Sequence, residues 1–313
     1  MRVLCCLLSW LLLSTTSLLG QAELPYQRIV LDKDDAVYGY YFAIAPEKIE
    51  GTLVLLPGFG QIAESVLVST KLPEFAYQNN LLTVVYAGGQ RLTADSLVQG
   101  HLNRVLQDVQ ERFAMPKDRL VIGGFSAGGN VALRYTQLCH QYPDLFPVQP
   151  AGVFMGDSPV DLYHLWAMQE QNMEPGNAAV SIEEAKLLQS SLQAAYGSTP
   201  AEDPAIYRDL SPFSLDEQFG NNEQWLKEVA VRTYHDIDVN WRIKKRGQSV
   251  FYRNYVPSSE LINRLQKMGN ERAEFVQTYQ TGYRLNGQRH PHSWSIIDAE
   301  ECVQWILGVW EKE

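Results

Sequence analysis

Short apolar runs, each four to eight residues long, recur along most of the chain, and longer stretches with a helical repeat separate them. Residues 27–32 and 37–44 alternate in a way that predicts an antiparallel pair, with a turn at Asp34-Asp35. Six further runs follow, at Thr52–Leu56, Leu82–Tyr86, Leu120–Gly123, Ala151–Met155, Val229–Tyr234 and Glu274–Tyr279. They are nearly continuous in aliphatic and β-branched residues, the pattern of strands covered on both faces. Leu102, Val105, Leu106, Val109 and Phe113 fall on one helical face. Helices are also expected from Ala127 to about His140 and from Ala299 to Trp310. Strands alternating with helices predict an α/β fold: an eight-stranded, mostly parallel sheet with helices on both faces.

One interval departs from this rhythm. Residues 156–228 separate two strands by far more chain than a compact crossover needs, and their pattern is mostly helical. A helical cap over roughly 162–227, inserted above the carboxyl edge of the sheet, accounts for the excess. Trp166, Met168, Met173 and Trp225 fall within it, where they either pack the cap helices or form an apolar acyl pocket.

The first 22 residues have a different character. Arg2 precedes an apolar run from Val3 to Leu13, then Ser and Thr, then Gly20-Gln21-Ala22. A basic start, an apolar middle and small residues at the end describe a secretory signal peptide, with the remaining 23–313 as one domain. The run is shorter than the roughly 20 residues that span a bilayer, so no stable membrane insertion is expected. An exported chain, periplasmic or secreted, is the resulting expectation.

Composition narrows the function classes. With 313 residues, 45% of them hydrophobic, the chain can bury a large core. Its formal net charge of −10 becomes −11 once Arg2 is removed, which disfavours nucleic acid as a partner. Lys244-Lys245-Arg246 is the only basic triplet and reads as a solvated turn. Cys139 and Cys302 fall on helices expected on opposite faces of the sheet, so two buried free thiols are expected, and no spacing suggests a metal site.

The chemistry centres on Gly124-Phe125-Ser126-Ala127-Gly128, a G-x-S-x-G sequence between an apolar strand and a helix. A serine on so sharp a turn projects its oxygen from the sheet edge. The flanking glycines let strand and helix approach closely, and the helix amino terminus favours developing negative charge. With Leu55-Leu56-Pro57-Gly58-Phe59-Gly60 upstream and His292-Ser293-Trp294 downstream, the chain resembles the α/β-hydrolase superfamily, particularly its bacterial esterase-like members. The resemblance runs from the opening hairpin to the final helix.

That resemblance implies an α/β-hydrolase fold and a triad in the order Ser, acid, His. Ser126 is the implied nucleophile. His292, just before the closing helix, is the implied base, with His290 as its competitor. The acid is expected after the strand Val229–Tyr234, at Asp238, with Asp236 close behind. Asp157 also ends a strand and is a displaced-acid alternative whose plainer reading is a turn residue. The backbone N–H groups of Phe59 and Ala127 are the expected oxyanion donors. Other segments have weaker claims: Tyr86–Arg91 as a pocket wall or a tight turn, and Asp209–Phe213 as the return from the cap.

The implied activity is cleavage of a small ester-type substrate through an acyl-enzyme, with no metal and no organic cofactor. Oligomeric state is not expressed in the sequence. A serine peptidase of the same fold and a non-catalytic binding protein of that fold are the alternatives. The sequence offers no charged specificity pocket for the first, and no spoiled motif for the second.

Overall fold

The computed structural model describes residues 24–216 and 221–311. The expected signal peptide, residues 1–22, lies outside the described residues, as do positions 217–220 of the expected cap. The strands are β1 (Tyr26–Val30), β2 (Tyr40–Ile44), β3 (Gly51–Leu56), β4 (Leu81–Tyr86), β5 (Leu120–Phe125), β6 (Gly152–Gly156), β7 (Ala230–Asp236) and β8 (Ala273–Thr278). They form one sheet in the order β1-β2-β4-β3-β5-β6-β7-β8. β2 is antiparallel to both β1 and β4, and every other neighbouring pair is parallel.

The helices are α1 (Ala63–Ser69), α2 (Leu72–Gln78), α3 (Ser96–Phe113), α4 (Ala127–Gln141), α5 (Leu162–Asn172), α6 (Ala179–Tyr196), α7 (Pro204–Leu210), α8 (Val239–Arg246), α9 (Tyr255–Lys267) and α10 (Ala299–Val309). Apolar side chains alternate through the central strands and divide the core in two. Val54 and Leu56 of β3 face the side covered by α3, α4 and α9, through residues such as Leu102, Val131 and Leu261. Leu53 and Leu55 face the side of α1, α2 and α10, through Val66, Leu72 and Val303. A strand buried on both faces cannot carry polar residues in alternation, which is why these segments read as unbroken apolar runs. Cys139 and Cys302 are both buried and free, one in each half of the core.

The long interval between β6 and β7 holds α5, α6 and α7, which share a smaller apolar cluster of their own with Leu92 and Ala127. Phe213 and Leu226, towards the downstream end of the interval, belong instead to the main core. A 3₁₀ turn at Asn222–Leu226 packs against α4 and carries Trp225 there. Trp225 therefore stands apart from the cluster that holds Trp166 and Met168. Among the described residues no helix is long and apolar enough to cross a membrane.

Candidate active site

Ser126 follows β5 and precedes α4 with a positive φ, outside the common backbone regions (φ 55, ψ −124). Such a conformation costs a non-glycine residue about 1–3 kcal/mol and persists only where its surroundings impose it. Here they do. The Ser126 N–H donates to Gly156 O at 2.9 Å, which ties the turn to the neighbouring strand. A Cβ on Gly124 would lie 2.3 Å from the Gly128 carbonyl carbon, and one on Gly128 would lie 2.3 Å from Leu56 O. Both positions are therefore closed to any side chain, and helix and strand meet backbone to backbone.

His292 stands between Ser126 and an acid. Its Nε2 is 3.1 Å from Ser126 Oγ, and its Nδ1 is 2.7 Å from Asp157 Oδ2. Phe125 packs against the imidazole with ring centroids 4.5 Å apart. The carboxylate that meets His292 is that of Asp157, not Asp238 or Asp236, which corrects the expectation from the sequence. β5 pairs with β6 so that Phe125 faces Gly156. The residues immediately after these two, Ser126 and Asp157, therefore emerge side by side at one edge of the sheet. Asp157 also has positive φ (42°), and its N–H donates to Tyr234 O at 2.9 Å.

The two acids at the end of β7 are engaged elsewhere. Asp238 caps α8, accepting from Trp241 N–H at 3.0 Å, and its other oxygen meets Arg289 at 3.1 Å. Asp236 accepts from the N–H groups of Gln280 (3.0 Å) and Gly282 (2.7 Å), and from Arg289 at 2.9 Å. Together they fasten the segment leading to His292 onto the end of β7. Both sit in the stretch the sequence indicated, Asp236 as the last residue of β7 and Asp238 just beyond it, but they hold backbone N–H groups and Arg289 there.

Asp157 has further partners that sequence reasoning missed. His235, fully buried on β7, points Nδ1 at Asp157 Oδ1 (3.2 Å) and Nε2 at Thr233 Oγ1 (2.8 Å). The two-residue spacing of Thr233 and His235 on one strand was a usable signal, since it puts both on one face. Arg242 of α8 reaches Asp157 Oδ2 at 3.3 Å, and Asn254 Nδ2 donates to Asp157 O at 2.8 Å. Burial alone would raise the Asp157 pKa. The charge of His292, hydrogen bonds from both histidines and the Arg242 guanidinium outweigh it, and the carboxyl is held well below its usual range.

His290 does not reach Ser126. Arg246 donates to its Nε2 at 2.7 Å, which leaves Nδ1 protonated and donating to His292 O at 2.9 Å. Burial, followed by the nearby charges of His292, Arg284 and Arg246, pushes His290 down to about 3, so it is neutral at ordinary pH.

The expected oxyanion donors flank the serine. Ala127 is the first residue of α4, so its N–H has no carbonyl one turn earlier in the helix. Phe59 lies in a loop whose other polar groups are tied down. Gly58 N–H donates to Gln61 Oε1 (2.9 Å), Gly60 N–H to Gly89 O (2.7 Å), and Trp294 Nε1 to the same Gln61 oxygen (3.1 Å). Phe59 and Ser126 line the same cavities on both sides of the serine. The 86–91 segment thus acts through Gly89, as a brace for this loop.

The first cavity, about 140 Å³, runs under α5 and α6. Met168 lines it, whereas Trp166 lines a separate hollow on the outer side of α5. The second, about 500 Å³, opens between Tyr283–Asn286 and Trp294. The basic triplet is also not a solvated turn. It forms the last turn of α8, with Lys244 and Lys245 exposed and Arg246 turned inward to the first cavity. Among the described residues, no group of three or more His, Cys, Asp and Glu side chains could hold a metal ion.

Neither a protein-family model nor a curated protein sequence matches the chain. Solved structures do resemble it. The fluorophosphonate-binding serine hydrolase F of Staphylococcus aureus has a TM-score of 0.52 at 12% identity, over 92% of this chain and 100% of that one. Carboxyl esterase 2 of Tuber melanosporum reaches 0.55 at 13% identity, over 94% and 88%. Esterase B of Lactobacillus rhamnosis reaches 0.55 at 13% identity, over 91% and 87%. At such identities the likeness speaks for the architecture: this chain has the α/β-hydrolase fold.

Proposed function

We propose that the chain is an exported serine hydrolase that cleaves carboxylic ester bonds through an acyl-enzyme. The observation that carries this reading is the continuous hydrogen-bonded line from Ser126 Oγ through His292 to Asp157, at 3.1 and 2.7 Å. A serine hydroxyl is a weak nucleophile until a neighbouring base takes its proton. In the proposed reaction His292 Nε2 accepts that proton as Ser126 Oγ bonds to the ester carbonyl carbon. Asp157 holds the imidazole tautomer and stabilises the imidazolium that forms. The N–H groups of Phe59 and Ala127 receive the oxyanion. Collapse of the tetrahedral intermediate expels the alcohol, protonated from His292. A water molecule, deprotonated by His292, then attacks the acyl carbon and releases the acid, restoring Ser126.

The likeness to carboxylesterases and serine hydrolases supports the hydrolase class. Export rests on the signal-peptide character of residues 1–22. The test is covalent labelling with a fluorophosphonate probe. Wild-type protein is expected to label and Ser126→Ala protein to remain unlabelled. Failure of folded wild-type protein to label would overturn the reading.

A further inference from the structure

We propose that the cavity beneath α5 and α6, beside Ser126, is selective for an anionic group, so that the preferred substrates are esters carrying a short carboxylate-bearing arm. This rests on the serine-hydrolase reading above and names its substrate class.

The cavity wall carries an excess of cations. Arg242, Arg246 and Arg253 line it, against the carboxylates of Asp157 and Glu184, which leaves three positive charges to two negative. Asp157 is committed to His292, His235 and Arg242. Glu184 is largely exposed and meets only Arg246, at 3.4 Å. Arg253 has no carboxylate within ion-pair distance among the described residues. Yet it is only 3% exposed.

Its guanidinium is held by neutral acceptors: Gln248 Oε1, Gln171 Oε1 and Asn172 Oδ1, each at 3.0 Å. These three fix its plane without neutralising it. The Nε–H groups of both Arg253 and Arg242 are buried and lack an acceptor. A guanidinium offers five N–H donors in a fixed fork, and three neutral bonds leave Arg253 short of its capacity. Burial, helped by the nearby Arg242, lowers its pKa to about 10, so it keeps its charge at neutral pH.

A buried cation without a partner destabilises a fold unless something else compensates it. This one occurs in a chain whose net charge is −10, so general basicity does not explain it. It sits in the small cavity that also contains Ser126 and His292. A bound anion would supply the missing countercharge, and the planar fork of arginine matches a carboxylate. Size limits the rest of the arm. At about 140 Å³ the cavity falls below the roughly 300–1,000 Å³ of pockets for drug-sized ligands. Leu92, Leu165 and Met168 supply an apolar wall suited to the few methylene groups between carboxylate and ester.

The experiment compares isosteric ester pairs that differ in charge, with acid release followed by pH-stat. Monoethyl succinate against ethyl 4-methylpentanoate places the carboxylate on the acyl side. Acetyloxyacetate against isobutyl acetate places it on the alcohol side. Wild-type kcat/KM is expected to favour the anionic member of one pair by about tenfold or more. In Arg253→Gln that preference is expected to fall by about tenfold, chiefly through KM, and Arg253→Lys to restore part of it. The wild-type ratio needs no variant and so stands even if Arg253→Gln folds poorly. Equal or neutral-favouring ratios in both pairs would overturn the inference. Labelling the same preparation with fluorophosphonate separates two kinds of failure. Labelled protein with no preference overturns the anion pocket alone; unlabelled protein overturns the hydrolase reading and this inference with it.

Discussion

Asp157 gathers more partners than any other acid in the candidate site. Two histidines, an arginine and the hydrogen bond between its own N–H and Tyr234 hold it in one orientation. Replacing it with asparagine keeps the shape but permits the wrong imidazole tautomer, a change that costs about 10⁴ in kcat in a comparable triad. Asp157→Asn is therefore expected to lower kcat on an ester by about three to four orders of magnitude. Asp238→Asn, which alters a helix cap and one contact with Arg289, is expected to lower it by less than about tenfold. Steady-state kinetics on a neutral ester decide between them. The opposite ranking would return the acid to the end of β7.

Helix and strand backbones constrain one another where α4 meets β3 and β5. Gly128 leaves no room for a methyl group against Leu56 O, and backbone on both sides cannot yield. Overpacking of this kind costs about 1–3 kcal/mol. Gly128→Ala is expected to lower the thermal midpoint by several degrees in a melt followed by circular dichroism. At this scale the sequence was highly legible. All eight strands fall within two or three residues of their expected positions, and for β2 to β7 the reason is burial on both faces, which forces nearly unbroken apolar runs. The serine turn was equally legible, since G-x-S-x-G between strand and helix is itself a geometric requirement.

What the sequence obscured depends on tertiary neighbours. An acid after β6 and an acid after β7 look alike on paper. Only the pairing of Phe125 with Gly156 shows that Asp157 emerges beside Ser126. His235 stood one residue beyond the expected strand, and its approach to Asp157 needs β7 to run on to Asp236 with β6 beside it. Arg246 was hidden for a similar reason. A basic triplet looks solvated until one member of a helical turn faces inward.

Across the whole molecule, buried titratable groups couple the fold to pH. His290 is the clearest case, with its pKa down to about 3 against about 6.5 in an unfolded chain. Between those values the unfolded chain binds a proton that the folded protein excludes. Stability therefore falls as pH drops from about 6.5 towards 3, by roughly 1.4 kcal/mol per pH unit for one proton. Asp157 adds to the acid sensitivity only lower down. Its folded pKa is depressed, so its contribution is complete above the unfolded value near 3.9 and is lost as pH falls below it. Denaturant melts at several pH values are expected to show a slope shallower by about one proton in His290→Gln between pH 6 and 4. An unchanged slope would remove His290 from the account.

The hydrogen bond between Ser126 N–H and Gly156 O makes the nucleophile and its acid parts of one rigid sheet edge. Only His292 arrives from elsewhere, on a loop clamped by Arg289, Asp236 and Asp238. Assembly of the Ser126–His292–Asp157 line thus reduces to a single docking event. A chain can complete its sheet and the half of its core under α3, α4 and α9 and still be inert until that loop seats Trp294, Ile296 and Ile297 in the other half. Recovery of fluorophosphonate reactivity after refolding then becomes a clock for the loop, separable from the return of secondary structure.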